Sequence, residues 1–223
     1  RKRLAKVFTQ SGKVFIADAC VVTVSLGVLQ SGDITFSPPL PRYKQLAISK
    51  LGFGVFNKVA LRFPAVFWPQ DQDYLARACP GERTAPNHFF FLSMWRCSET
   101  PVLVSLVTGE LAEMVETAMD FQVVELMCTA LKGMFPESFV PPVSYSISRW
   151  KSNPLFQGCY SYAAIGASDV NYFDMSQPVN NVLFFAGEAT NRWHPSTVHG
   201  AIYSGLREGM RICGEDVASM QHA

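Results

Sequence analysis

The chain of 223 residues carries a formal net charge of +1 and is 48% hydrophobic. A near-neutral balance removes the electrostatic footprint of a nucleic-acid or anionic-membrane binder, and so apolar a composition excludes a disordered segment. The longest apolar candidate, 14–29, is broken by Asp18 and by Thr and Ser, short of the ~18 uninterrupted residues of a membrane span.

Arg1, Lys2, Arg3 and Lys6 make a solvated start rather than a targeting signal, and no secretory leader follows them. A chain opening on Arg1 rather than Met is expected to be a piece of something longer. Six cysteines without a C-x-x-C pair point to reduced, buried thiols in an intracellular protein. Four histidines without H-x-x-x-H spacing give no reason to expect a metal.

In chain order, KVFIAD and then Cys20–Val24 read as strands, the second apolar enough for burial on both faces. Pro38, Pro39 and Pro41 form a stiff connector to a short helix, YKQLAISKLGFG, closed by Gly52. VFNKVALRF is a strand with Val55, Val59, Leu61 and Phe63 on one face and Phe56, Lys58, Ala60 and Arg62 on the other. The stretch 64–87 is loop-like, and HFFFLSMW and PVLVSLVTG form a hairpin.

A helix is expected over 110–118. A longer one is N-capped by Asp120, with Val124, Met127, Cys128, Leu131 and Phe135 on one face. VSYSISRW and CYSYAAIG read as strands around the loop KSNPLFQG. After a polar linker come a last strand, 182–186, and a last helix, 197–213. The fold class is α/β, with a central antiparallel block between terminal pieces of a different sheet.

The end of the chain is the most informative part. In LFFAGEATNRWHPSTVHGAIYSGLREG a strand stops at Gly187-Glu188, and a helix opens with Ala201, Gly205 and Gly209 on one face. Each helical glycine costs about 1 kcal/mol relative to alanine. A stripe of this kind most simply lets the helix pack tightly on a sheet. Ser196 and Thr197 can cap the helix, whose free N–H groups suit negative charge or carbonyl oxygen. Glu188, placed after a buried strand, suits an acceptor for ligand hydroxyls; taken alone it reads more simply as a solvated Glu in a turn.

FFAGEAT followed by STVHGAIYSGLREG resembles the C-terminal flavin-binding motif of the flavin-dependent amine oxidase superfamily. DACVVTVSLGVLQSGDITFSPPLP is similar to that family's second FAD-domain segment, LGFGVFNKVALRFPAVFW to the entry into its substrate domain, and SRWKSNPLFQGCYSY to the loop bringing aromatics over the flavin. The resemblance runs from Ala17 to Arg211, nearest to lysine-specific histone demethylases and next to polyamine oxidases.

The resemblance implies the C-terminal part of a two-domain FAD-dependent fold. FAD-domain segments at 1–54 and 178–223 would flank a substrate-domain segment at 55–177. It implies FAD contacts at Gly187, Glu188, Thr197, Val198, Gly200 and Ala201. Lys58 would hold a water against the flavin and assist reoxidation by oxygen; the strand pattern alone puts Lys58 on a solvated face. Trp150 would pack beside the flavin, and Tyr160 would wall the amine pocket; in strands both also suit ordinary core positions. Thr197, where monoamine oxidases place a second aromatic, would leave room for a bulky peptide lysine. Cys159 occupies the position of the covalent flavin link in monoamine oxidases, though relatives with cysteine there also bind FAD non-covalently.

The implied reaction is hydride transfer from the carbon beside a neutral amine, hydrolysis of the resulting iminium, and reduction of oxygen to hydrogen peroxide. The G-x-G-x-x-G fingerprint that should open this family is absent: GFGVFN lacks the third glycine and precedes a strand. The missing N-terminal half is therefore an expected partner, beside an amine substrate (methylated peptide lysine or polyamine) and oxygen. The competing readings are a polyamine oxidase and a truncated, non-catalytic fragment. A demethylase implies the nucleus, a polyamine oxidase the cytoplasm or peroxisome.

Overall fold

The computed structural model describes residues 4–78 and 88–217. The first elements are β1 (Ala5–Phe8), β2 (Val14–Ala17), β3 (Cys20–Val22), α1 (Leu26–Ser31), α2 (Arg42–Lys50) and β4 (Gly52–Phe53). Next come β5 (Phe56–Arg62), β6 (Tyr74–Ala78), β7 (His88–Ser93), α3 (Trp95–Ser98), β8 (Val102–Thr108), α4 (Gly109–Thr117), α5 (Asp120–Met134) and β9 (Ser144–Ile147). The chain closes with β10 (Ser161–Tyr162), α6 (Asp169–Ser176), β11 (Leu183–Phe185), a 3-10 turn (Glu188–Thr190) and α7 (Val198–Cys213). These form two compact units, one of residues 1–54 with 154–223, the other 55–153.

The continuous unit is an antiparallel sheet in the order β6-β7-β8-β5-β9. Strand alternation buries Asn57, Val59 and Leu61 of β5 and leaves Lys58 and Arg62 exposed. The buried face packs with Ala112 and Val115 of α4 and with Val123, Met127, Ala130 and Leu131 of α5. Phe63, Phe67, Trp68, Phe135 and Phe139 close one end edge-to-face, at centroid separations of 4.9–5.7 Å.

Three expectations shift here. Asp120 is the first residue of α5 rather than its cap: Met119 precedes the helix, its N–H donating to Gln122 Oε1. The carboxylate of Asp120 instead pairs with Arg149 at 2.7 Å. The buried line of α5 runs through Val123 and Ala130, while Val124 and Phe135 are only partly buried. The stretch expected to be loop-like holds β6, paired with β7; its last part, 79–87, lies outside the described residues.

The discontinuous unit centres on the parallel pair β3 and β11, in register Cys20–Leu183, Val21–Phe184 and Val22–Phe185. β3 stops two residues earlier than expected, because Ser25 accepts from the N–H of Val28 and caps α1. Val21 is exposed, so β3 is not buried on both faces within this chain. α2 ends at Lys50, and Gly52 pairs with Tyr162 in β4–β10 rather than closing the helix.

The expected polar linker contains α6, opened at Ser168, whose N–H donates to Asn171 Oδ1. Its Tyr172 and Met175 bury against Ala47 and Ile48 of α2. Residues 154–177 thus belong to the same compact unit as 1–54 and 178–223, whereas the sequence grouped them with 55–153.

This unit has an unusual interior. Lys44 is fully buried; its Nζ donates to the carbonyls of Asp174 (3.0 Å) and Met175 (2.7 Å) and lies 3.8 Å from the Phe185 ring centroid. Burial pushes its pKa down to about 7, against the pull of Glu208 and Asp174. On α7, Arg207 and Arg211 converge on the fully buried Glu208, and Arg207 also donates to the carbonyls of Phe185 and Thr190.

Candidate cofactor-facing site

Both parallel strands end at one cavity of about 210 Å³. Its walls include Val22–Ser25 after β3, Gly187 and Glu188 after β11, and Phe53, Phe156 and Cys159. The carboxyl ends of parallel strands are where open α/β sheets hold their ligands.

Gly187 has φ +125 and ψ 165, a region essentially restricted to glycine. Its N–H donates to Ser204 Oγ on α7 at 2.8 Å, tying the end of β11 to the helix. This turn aims Glu188 at two partners. Oε1 accepts from the N–H of Ser161 at 3.0 Å, and Oε2 accepts from Ser161 Oγ at 2.6 Å and from the N–H of Ser196 at 2.7 Å. A carboxylate offers about four acceptor sites, so one remains, on the oxygen with a single donor. Ser161 escaped the sequence reading, and Ser196 entered it only as a possible cap for α7. Ser196 has φ +65 and donates from Oγ to the carbonyl of Ser161, and no periodicity announces either residue.

Thr197 is the N-cap of α7: its Oγ1 accepts from the N–H of Gly200 at 3.0 Å and donates to the carbonyl of His194 at 2.8 Å. Its hydroxyl is thus committed to the helix end. Gly200 is buried, and a Cβ there would sit 1.9 Å from the His194 carbonyl oxygen. Asn191 completes the clasp, accepting from the N–H of Trp193 and His194 and donating to the carbonyl of Gly200. Ala201 lies one turn in, and Val198 stands at the mouth of the helix, 79% exposed. The sequence suggested tight packing along the glycine stripe, yet a Cβ at Gly205 or Gly209 would meet nothing within 4 Å. The close approach is at Gly200.

Cys159 lines the same cavity, and its N–H donates to the carbonyl of Gly54. Tyr160 accepts from the N–H of Gly54 at 2.9 Å; burial, then the neighbouring Cys159, raises its phenol pKa. Lys58 and Trp150 belong to the sheet unit. Lys58 is exposed, as the strand pattern required, and its Nζ is 5.9 Å from the Phe56 ring centroid. Trp150 follows β9, 38% exposed, with its N–H donating to Asn57 Oδ1. Among the described residues no cluster of side chains could hold a metal ion.

The residues fit part of an FAD. A fixed carboxylate with a free acceptor site suits a ribityl hydroxyl, and the exposed first turn of α7 presents N–H donors. The apolar walls Leu26, Phe53 and Phe156 suit an aromatic group. The cavity is smaller than the 300–1,000 Å³ or so of complete small-molecule sites, so these residues account for a portion of the ligand.

The flavin containing amine oxidoreductase family matches residues 2–213, and the chain belongs to that family, whose cofactor is FAD. Among individual proteins it is 41% identical over 212 residues to Lysine-specific histone demethylase 1 homolog 3 of Arabidopsis thaliana, covering 95% of this chain and 13% of that protein. It is also 41% identical over 201 residues to Polyamine oxidase 2 of the same plant, covering 90% of this chain and 40% of that protein. A redesigned double mutant of putrescine oxidase shares the fold, with a TM-score of 0.76 over 96% of this chain and 47% of that one at 20% identity. The chain thus spans 13%, 40% and 47% of the length of these three proteins.

Proposed function

We propose that this chain is the carboxyl-terminal part of an FAD-dependent amine oxidase acting on methylated peptide lysine. The carrying observation is Glu188, held by three donors at the carboxyl ends of β3 and β11 with one acceptor site left. Glu188 accepts from a hydroxyl of the cofactor, Gly187 lets the backbone turn beneath it, and the first turn of α7 (Thr197, Val198, Gly200, Ala201) faces it. The bound cofactor would supply a hydride acceptor for the carbon beside the amine nitrogen, with oxygen as the final oxidant and hydrogen peroxide as its product. Lys58 orients a water for that oxygen chemistry. Trp150 is assigned a place beside the flavin, and Tyr160 a wall of the amine pocket, where an aromatic favours an amine by cation–π contact and excludes water. Cys159 is the candidate for a covalent link to the cofactor.

Identity over 95% of the chain to a histone demethylase homolog supports the peptide substrate and, with it, residence in the nucleus. Equal identity to a polyamine oxidase supports a free polyamine as the second reading, with cytoplasm or peroxisome in place of the nucleus. The partner in either case is the fingerprint-bearing half of the oxidase.

Visible absorbance of the purified chain with added FAD, alone and with that half supplied, tests the reading. Flavin uptake is expected to require the second half and to fall at least ~10-fold in Glu188→Ala, the loss of a charged hydrogen-bond acceptor. Equal uptake by the variant would defeat the assignment of Glu188. Flavin retained after denaturation would identify Cys159 as its attachment.

A further inference from the structure

Asn57 is the anomaly in β5. It occupies a core-facing position between Val55 and Val59 and is fully buried, where an amide is costly unless every polar atom is paired. Its Nδ2 donates to Glu116 Oε1 at 2.7 Å, and its Oδ1 accepts from Ser148 Oγ at 3.2 Å and from the N–H of Trp150 at 3.3 Å.

The same knot reaches Lys58. The N–H of Lys58 donates to Ser148 Oγ at 2.7 Å, and the N–H of Ser148 donates to the carbonyl of Lys58 at 3.0 Å. Glu116 anchors the far side, accepting from the N–H of Lys151 (3.0 Å) and Ser152 (2.9 Å). Burial alone would raise its pKa; the hydrogen bonds from Asn57, Lys151 and Ser152 outweigh that and hold it below the ordinary value. Arg149 pins the turn from the other direction through the carbonyls of Val115 and Ala118. Each residue from Ser148 to Ser152 therefore has its own anchor.

We infer that Asn57, with Ser148 and Glu116, is a positioning residue that fixes Lys58 and Trp150 relative to each other. The inference rests on the proposed roles of those two side chains. The Asn57 amide holds the backbone of Trp150 directly and that of Lys58 through Ser148 Oγ, two residues assigned to the same chemistry. Glu116 supplies the charge that orients the amide, so the oxygen faces Trp150 and the nitrogen faces α4.

The test has two arms. In the 223-residue chain carrying 5-fluorotryptophan, the Trp150 fluorine resonance is assigned by its loss in Trp150→Phe. Asn57→Asp, which sets two carboxylates against each other, and the milder Ser148→Ala are then compared by fluorine NMR and by amide exchange at 150–152. The Trp150 signal should shift and those amides should exchange faster, while the core Trp68 signal stays in place. Glu116→Gln should restore part of the Trp150 position when combined with Asn57→Asp.

In the FAD-loaded full-length oxidase, the same variants should lower kcat by ~10–100-fold with KM little changed, the consequence of a displacement near 1 Å. An unmoved Trp150 signal in both Asn57→Asp and Ser148→Ala would overturn the proposal. So would an unchanged kcat in these variants when Lys58→Met and Trp150→Phe both lower it. If Lys58→Met and Trp150→Phe are silent while the Trp150 signal moves, the failure lies in the site assignment beneath it.

Discussion

The two units solve burial in opposite ways. The sheet unit puts Val59, Leu61, Phe91, Leu103, Met127 and Leu131 inside and keeps Lys58 and Arg62 outside. The two-segment unit buries Lys44, Ser204, Arg207 and Glu208, while Val198, Ile202 and Leu206 of α7 stay exposed, with Phe8, Phe15 and Ile16 of the β1–β2 hairpin. α7 is thus amphipathic with its polar side inward. An exposed apolar face of this extent is the signature of a surface awaiting a partner, and a buried ionic cluster specifies one arrangement at a cost in stability. The first unit is closed by its own core; the second sets an ionic cluster beside its apolar core and leaves an apolar face exposed.

The contrast can be broken most sharply at Glu208. Replacing it by alanine leaves Arg207 and Arg211 facing each other without a carboxylate, and a loss of about 3–5 kcal/mol is expected. Denaturant unfolding followed by Trp193 emission measures it, and a loss below 1 kcal/mol would mean the cluster is dispensable. In the sheet unit, Leu103→Ala should cost about 2–5 kcal/mol through its cavity and spare the Trp193 transition; loss of both transitions together would erase the distinction between the units.

Lys44 gives a smaller, pH-dependent signature. Its folded pKa of about 7 lies below the unfolded value of 10.5, so between those values the unfolded chain binds more protons. Stability from this group should therefore rise with pH from about 7 to 10.5 and be flat below 7, a gain on the order of a few kcal/mol. Parallel stability curves for wild type and Lys44→Met across that window would refute it.

The smallest effect separates two glycines of one helix. Gly205→Ala should raise the stability of the chain by about 1 kcal/mol, whereas Gly200→Ala should lower it by about 1–3 kcal/mol, since only Gly200 abuts backbone. Thermal melts of the two variants decide this. Stabilisation of the chain combined with weakened assembly of the full oxidase in Gly205→Ala would identify the stripe as a docking face.

Much of this was legible in the sequence. The two faces of β5, the β7–β8 hairpin, the α7 cap at Thr197 and the family itself follow from alternation, turn residues and the FFAGEAT motif. What escaped depends on contacts distant in sequence. α6 looks like a polar linker because two of its four buried residues, Asn171 and Ser176, are polar. The partners of Glu188 lie 27 and 8 residues away, and nothing in the sequence pairs either serine with that carboxylate. Asn57 reads as an interruption of a hydrophobic face until Glu116 and Trp150 are seen on either side of it.

The interleaving of the units also bears on how the molecule comes together in time. β3 and β11 pair across more than 150 residues, a closure with a heavy entropic barrier for an open chain. The sheet unit lies between them, and its first and last strands, β5 and β9, are adjacent. Once it has folded, its two exits are held side by side and the effective loop is short. The sheet unit therefore acts as a kinetic clamp, and substitutions that slow its folding will delay the appearance of the Glu188 site without touching it.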